Sequence, residues 1–330
     1  MSTFYDEWLN AEAETQEAFR RARHVARDKD IPWVGTRQDA KVKLMISDEL
    51  GFATMGGNVL KAEIPVGWHT GKHAHGEESI HILQGTGFSV VSGQRFNWHK
   101  GSTIQIPYRA AHQHFNAGDE PVLYLSGMTF SLERFLRVVN LEQLEDCGPN
   151  ENAVLSRFPA QDGQYYRDGA RAVIHLEEAP ADYEFPGHNV HPGSKNQHHY
   201  IKYLVQPENG FRAASVAVTA LWEEPAQTHS GRHTHLEAVV YAYDGRGKSD
   251  LNGVFEPWEA GDVLHVPPAM WEHEHYNDTD ASYWQLQIKF GIRAWFEGIW
   301  PDGYTRKRIY DELGQPIEAG AIVRIRERER

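Results

Sequence analysis

The chain has 330 residues, enough for about two domains of ordinary size. With 40% apolar and 24% charged residues it has a soluble globular composition, and its net charge of −13 disfavours nucleic acid and anionic membrane, which both need a positive field. A single cysteine, Cys147, excludes an internal disulfide and a multi-thiolate metal site. No segment has the ~18 apolar residues of a spanning helix or the apolar core of a signal peptide, so a cytoplasmic location is expected.

Residues 3–28 predict an amphipathic helix, with Phe4, Trp8, Ala11, Phe19 and Val25 on one face. It reads as a packing or oligomerisation arm. Pro32 and Gly35 then mark a linker to residue 40. From 41 to 130 short β-branched and aromatic runs (VKLMI, NVLKAEI, SIHILQ, FSVV, STIQIP, VLYLSGM) alternate with Gly, Pro, Asn and Asp turns. That rhythm predicts a sandwich or closed barrel. Residues 131–146 predict a helix, with Ser131 as N-cap and Gly148 as stop. A Pro-, Gly-, His- and Tyr-rich connection runs to about 200. Short strands then return over 201–292 (IKYLV, ASVAVTAL, AVVYAY, DVLHVP, YWQLQIKF). The tail from Arg293 carries an aromatic patch (Trp295, Phe296, Trp300, Tyr304), read as packing, and a charged, solvated end.

The 19 histidines concentrate in two matching stretches. His69, His73, His75, Glu77, Gly85, Gly87, Gly101 and Pro107 recur at an offset of 160 as His229, His233, His235, Glu237, Gly245, Gly247, Gly261 and Pro267. One residue is then gained, and His112-Gln113-His114-Phe115-Asn116 matches His273-Glu274-His275-Tyr276-Asn277 at 161. Internal duplication follows. On a strand, residues i and i+2 share a face, so His73 with His75, and His233 with His235, project together. His112 and His273 supply a third imidazole to each set. Three neutral imidazoles suit Fe(II), Zn, Ni, Cu or Mn. His69, His229, His114 and His275 read as hydrogen-bonding support or loop packing.

These residues resemble the two motifs of the cupin superfamily, each present twice. The first motif is carried by Gly67, His73, His75, Glu78 and Gly85, and the second by Gly101, Pro107, His112 and Asn116, with Arg109 where glycine is usual. The resemblance implies an all-β fold of two cupin (double-stranded β-helix, jelly-roll) barrels with an N-terminal helical arm and short linking helices. The corresponding domains are 1–40 (arm and linker), 41–130 (first barrel), 131–200 (helix and connection), 201–292 (second barrel) and 293–330 (tail). The implied metal ligands are His73, His75 and His112 in one barrel and His233, His235 and His273 in the other. The first barrel adds Glu78 or Glu77. Only Glu77 is repeated, because Ala238 stands opposite Glu78.

Among two-barrel cupins the chain most resembles the gentisate 1,2-dioxygenase type, which includes salicylate dioxygenases. The resemblance implies Fe(II), with Mn, Ni, Cu or Zn as alternatives. It also implies an extradiol-type ring-cleaving 1,2-dioxygenase that uses O2 on a small anionic aromatic substrate, as a homo-oligomer (dimer or tetramer). The family's active barrel lacks the motif glutamate, which fits Ala238 and Trp271-Glu272-His273, yet its iron is usually in the first barrel. Which barrel works stays open. Candidate catalytic residues are Glu274 as base, Arg109 as cation and Gln113. Lys72, Arg232, Lys202 and Lys289 are further cations, and Trp68, Phe115, Trp222, Trp271 and Tyr241 are wall candidates. The alternatives are a flavonol or β-diketone dioxygenase, an Mn oxalate decarboxylase, or a non-enzymatic metal- or ligand-binding bicupin.

Overall fold

A computed structural model of the chain describes residues 2–150, 163–182, 200–224, 226–268, 271–291, 308–310 and 316–317. The C-terminal aromatic patch and charged end lie outside these residues. Two antiparallel barrels account for most of them, and each carries one histidine set.

In the first barrel one sheet runs, in spatial order, Val173–Ile174, Thr103–Ile106, Glu78–Gln84, Val122–Met128, Asn58–Ile64 and Lys41–Ile46. The facing sheet contains Lys72–Ala74, His112–Asn116, Thr86–Val91 and Gln94–His99. Its apolar lumen packs Ile80, Ile82, Phe96, Trp98, Ile104 and Tyr124. The second barrel repeats the arrangement. Val25–Ala26, Val263–Val266, Ala238–Ala242, Tyr283–Phe290 and Val216–Glu224 face Val254–Glu259, Arg246–Leu251, His273–Asn277 and His233–Thr234. Ala238, Val240, Trp258, Leu264 and Tyr283 belong to its lumen cluster. A third cluster, including Leu83, Leu125, Val239, Leu286 and Ile288, joins the outer sides of the two sheets. Period-2 alternation produces this division: Ile80 and Ile82 point inward while His81 and Leu83 point to the partner barrel.

The barrels exchange edge strands. Val25 pairs with Leu264 of the second barrel, and Val173 pairs with Ile104 of the first. The exchange explains why the N-terminal helix stops early. It spans Phe4–Arg21, opened by a Thr3–Asp6 capping box, and residues 25–26 are taken by the sheet edge. Phe19 is the helix's buried residue and packs edge-on to Trp271, whereas Phe4, Tyr5, Trp8 and Leu9 are exposed.

The helix expected over 131–146 is cut short at Phe130–Leu136. Ser131 is inside it rather than its N-cap, and the Ser131 N–H donates to Asn58 Oδ1 at 2.8 Å. Arg137 turns left-handed at φ 59°, and Glu142–Glu145 pairs with Lys72–Ala74. An available sheet edge overrides local helix propensity there. No helix among the described residues is long and apolar enough to cross a membrane.

Candidate metal centres

In the first barrel His73, His75, Glu78 and His112 are all buried, and one ligand atom from each lies within 4.8 Å of the others. His73 and His112 sit opposite each other on paired strands, and Glu78 enters from the facing sheet. Glu78 Oε2 is 3.1 Å from His112 Nε2 and 3.4 Å from His75 Nε2, yet none of these three buried atoms makes a hydrogen bond. Glu78 Oε1 accepts from the Ser126 hydroxyl. Burial opposes charge on Glu78, but the imidazoles of His112 and His75 outweigh it and hold the carboxyl well below the usual range. Burial and the neighbouring His112 and His75 push His73 far down, so it is neutral.

The second barrel gathers His233, His235 and His273, also buried. Here each Nδ1 meets a main-chain carbonyl: His233 with Gly231 at 2.7 Å, His273 with Trp271 at 2.9 Å, and His235 with Leu236. A carbonyl only accepts, so each Nδ1 carries the proton and each Nε2 presents a lone pair. The Nε2 atoms of His235 and His273 are nonetheless 3.0 Å apart. Two lone pairs at that distance need a cation between them, so the donor set fits a transition metal. The first set passes the same test, since His112 Nδ1 is spent on Ala110 O at 2.8 Å and its Nε2 faces a carboxylate oxygen.

Behind each set lies the same support. Trp98 Nε1 donates to Ser89 Oγ (2.8 Å), which is 2.7 Å from His114 Nδ1. Trp258, Ser249 and His275 repeat this at 3.0 and 2.7 Å. Thr70 and Ser230 accept from the main-chain N–H groups of His114 and His275. These bonds fix the third-ligand strand.

Other predicted residues fall elsewhere. Glu77 leaves the cluster and accepts from Gln105 Nε2, from the main-chain N–H groups of Ala214, Ser215 and Val216, and from Ser215 Oγ. Glu237 does the reciprocal job, bonding His265 Nε2 at 2.8 Å and Met55 N at 3.0 Å. The duplicated acid is therefore a clasp between barrels, and the unduplicated Glu78 is the acid that joins the histidine set. Glu274 and Gln113 lie on the strand face opposite His273 and His112. Glu274 meets His229, Tyr276 OH (2.9 Å) and Arg232, and Gln113 meets His69 Nδ1 (3.0 Å) and Thr70 O. Arg109 is exposed on a turn at φ 62°, where its N–H donates to His75 O at 2.6 Å. That left-handed geometry is the reason glycine suits the position. Phe115 stacks on Phe88 outside the lumen, Tyr241 lies between the barrels, and Trp68 packs against the first lumen. Trp271 meets the N-terminal arm, edge-on to Phe19 and with Nε1 donating to Gln16 Oε1 at 2.6 Å. The Trp222 side chain lies outside what is described. A cleft of about 180 Å³ beside His273 is lined by Arg232, Asp250 and Glu272.

Sequence reading missed Ser126 and its counterpart Gln287, whose amide nitrogen is 3.2 Å from His235 Nε2. The signal was available: aligning the last strands at the offset of 161 sets Ser126 against Gln287.

A cupin domain profile matches residues 60–128. An uncharacterised protein of Methanocaldococcus jannaschii is 36% identical over 100 residues, 30% of this chain and 78% of that protein. The chain belongs to the cupin superfamily. This bicupin also superposes on salicylate 1,2-dioxygenase of Pseudoaminobacter salicylatoxidans, solved as adducts with gentisate, at a TM-score of 0.61 and 16% identity, covering 87% of this chain and 85% of that one. A variant of Bacillus subtilis oxalate decarboxylase gives 0.60 and 16%, covering 86% and 83%. Likeness at this identity establishes the fold.

Proposed function

We infer that this bicupin is an Fe(II)-dependent dioxygenase that opens the ring of a hydroxybenzoate, gentisate or a substituted salicylate, between the carboxyl- and hydroxyl-bearing carbons. The observation that carries the reading is the second barrel's set of three buried imidazoles with alanine where the first barrel has Glu78. The chemistry supplied by a bound Fe(II) would be Lewis-acid chelation of the substrate's carboxylate and hydroxyl oxygens and electron transfer between ring and O2. His233, His235 and His273 would hold it, their tautomers fixed by Gly231, Leu236 and Trp271. Val240 and Leu264 give the lumen apolar walls that exclude water. The likeness in fold to a salicylate dioxygenase supports the substrate class.

The test is O2 uptake by iron-loaded protein over a panel of gentisate and salicylates, with the ring-opened product followed by absorbance. Absence of O2 consumption across the panel removes ring cleavage. A second reading, Mn-dependent decarboxylation of oxalate, is favoured by Glu78 in the first set and by the likeness to oxalate decarboxylase. It predicts CO2 release from oxalate with no net O2 consumed.

A further inference from the structure

The third histidine of each set is held by the same main-chain device. His112 Nδ1–H donates to Ala110 O at 2.8 Å, and His273 Nδ1–H donates to Trp271 O at 2.9 Å. At the offset of 161, Ala110 and Trp271 are the same position. The neighbouring turn is duplicated too. Ser92 N–H donates to Ala111 O at 2.8 Å, and Asn252 N–H donates to Glu272 O at 2.7 Å. What differs is the side chain on the residue whose carbonyl accepts. The methyl group of Ala110 gives another segment little to grip, whereas Trp271 carries an indole and is 2% exposed.

The N-terminal arm closes on that indole. Gln16 Oε1 accepts from Trp271 Nε1 at 2.6 Å, from a helix 255 residues earlier in the chain. The Phe19 ring meets the indole edge-on at 5.9 Å, and the His24 ring lies 5.7 Å away. The Arg20 guanidinium sits 5.9 Å from the ring centre and also donates to Asn252 O at 3.3 Å, on the duplicated turn. Buried His24 ties off the helix, its Nε2 2.9 Å from Phe19 O. These contacts gather at the end of Phe4–Arg21, while Trp8 near its start is 68% exposed. An indole N–H only donates, so Gln16 satisfies a group that burial would otherwise leave unpaired. A ligating imidazole takes its orientation and basicity from the group that accepts its other N–H. For His273 that group belongs to a residue whose side chain the arm holds.

We propose that the N-terminal arm is a positioning element for the second metal centre: Gln16 and Phe19 set Trp271, and the Trp271 carbonyl sets His273. This requires only that His233, His235 and His273 hold a metal, whatever the reaction.

Co(II) titrated into the apoprotein and followed by its visible absorption reads the centres without turnover. Removing the third histidine of one set isolates the other: His112→Ala keeps the second set whole, and His273→Ala keeps the first. In the His112→Ala protein, Gln16→Leu and Phe19→Ala should each weaken Co(II) binding by about tenfold and shift its absorption bands. Gln16→Glu keeps an acceptor for Trp271 Nε1 and should bind within a few-fold of the parent. Trp8→Ala, on the exposed part of the same helix, should change neither affinity nor spectrum. In the His273→Ala protein all four substitutions should leave Co(II) binding unaltered. Unchanged affinity and spectrum in both Gln16→Leu and Phe19→Ala overturn the proposal. So does equal weakening of the two centres, which would make the arm a general support of the fold, and so does a second set that binds no Co(II) in the His112→Ala protein. The two inferences can also fail separately. Co(II) affinity that depends on Gln16, without O2 uptake by the iron-loaded protein, keeps the arm and removes ring cleavage. O2 uptake with Co(II) binding indifferent to Gln16 and Phe19 keeps the reaction and removes the arm.

Discussion

The two barrels present the same three imidazoles in opposite electrostatic settings. The first surrounds them with Glu78, which is held by Ser126, and with the buried Asp39–Tyr124 pair. The second offers Ala238, Gln287 and Lys289 at the places of Glu78, Ser126 and Met128. What duplication kept is the histidine frame and its serine–tryptophan support. What diverged is the lining beside that frame, with a carboxylate in the first barrel and alanine at the same place in the second.

The sharpest way to break this contrast is to remove one third ligand at a time. His273→Ala should lower O2 uptake by at least about 100-fold, more than the loss of an outer hydrogen bond to a ligand costs, and leave the first barrel's metal in place. His112→Ala should empty the first barrel with a smaller loss of activity. Metal content per chain measured beside turnover checks both, and equal loss from the two would mean the barrels do not divide the work. Next in size are the clasp acids. Glu77→Ala and Glu237→Ala should each lower stability by about 3 kcal/mol, because each leaves buried partners unsatisfied. Urea denaturation of both variants reads this, and strongly unequal losses would deny the reciprocity. Ser126→Ala should weaken metal binding in the first barrel by about tenfold and leave the second unchanged, checked by competition with a chelating dye.

The smallest effect is a change of slope. Burial raises the Asp39 carboxyl to about 7, against a lowering contribution from its bond with Tyr124 OH at 2.6 Å. The folded state therefore holds a proton that the unfolded chain releases near the ordinary value of 3.8. Stability tied to this group is full below that value and is lost as pH rises towards 7. Asp39→Asn should flatten the pH dependence of urea midpoints across that window, and an unchanged slope would assign it to other groups.

Much of the site was legible because metal ligands are bound to fixed spacings. His-x-His on one strand and a third histidine on another survive duplication as identical offsets, and the strands that carry them announce themselves by β-branched runs. Glu77 was ambiguous for a physical reason. Spacing cannot tell which way a carboxylate at a strand's edge turns, and the acid that repeats was conserved between copies by a barrel-to-barrel contact rather than by a metal. The shortened second helix was hidden because the pull on Glu142–Glu145 comes from Lys72–Ala74, seventy residues away. Ser126 and Gln287 needed the facing strand, since their meaning lies in what they oppose.

The exchanged edge strands set a schedule for synthesis. Val25 leaves the ribosome first, but its partner Leu264 follows 239 residues later. At typical elongation rates the wait is roughly 10–50 s. During that interval the first barrel also lacks Val173–Ile174 on the outer side of Thr103–Ile106 until those residues emerge. Closure of the whole molecule is therefore tied to the late arrival of the second barrel, and a nascent chain stalled before residue 264 holds an amino-terminal segment with nowhere to dock.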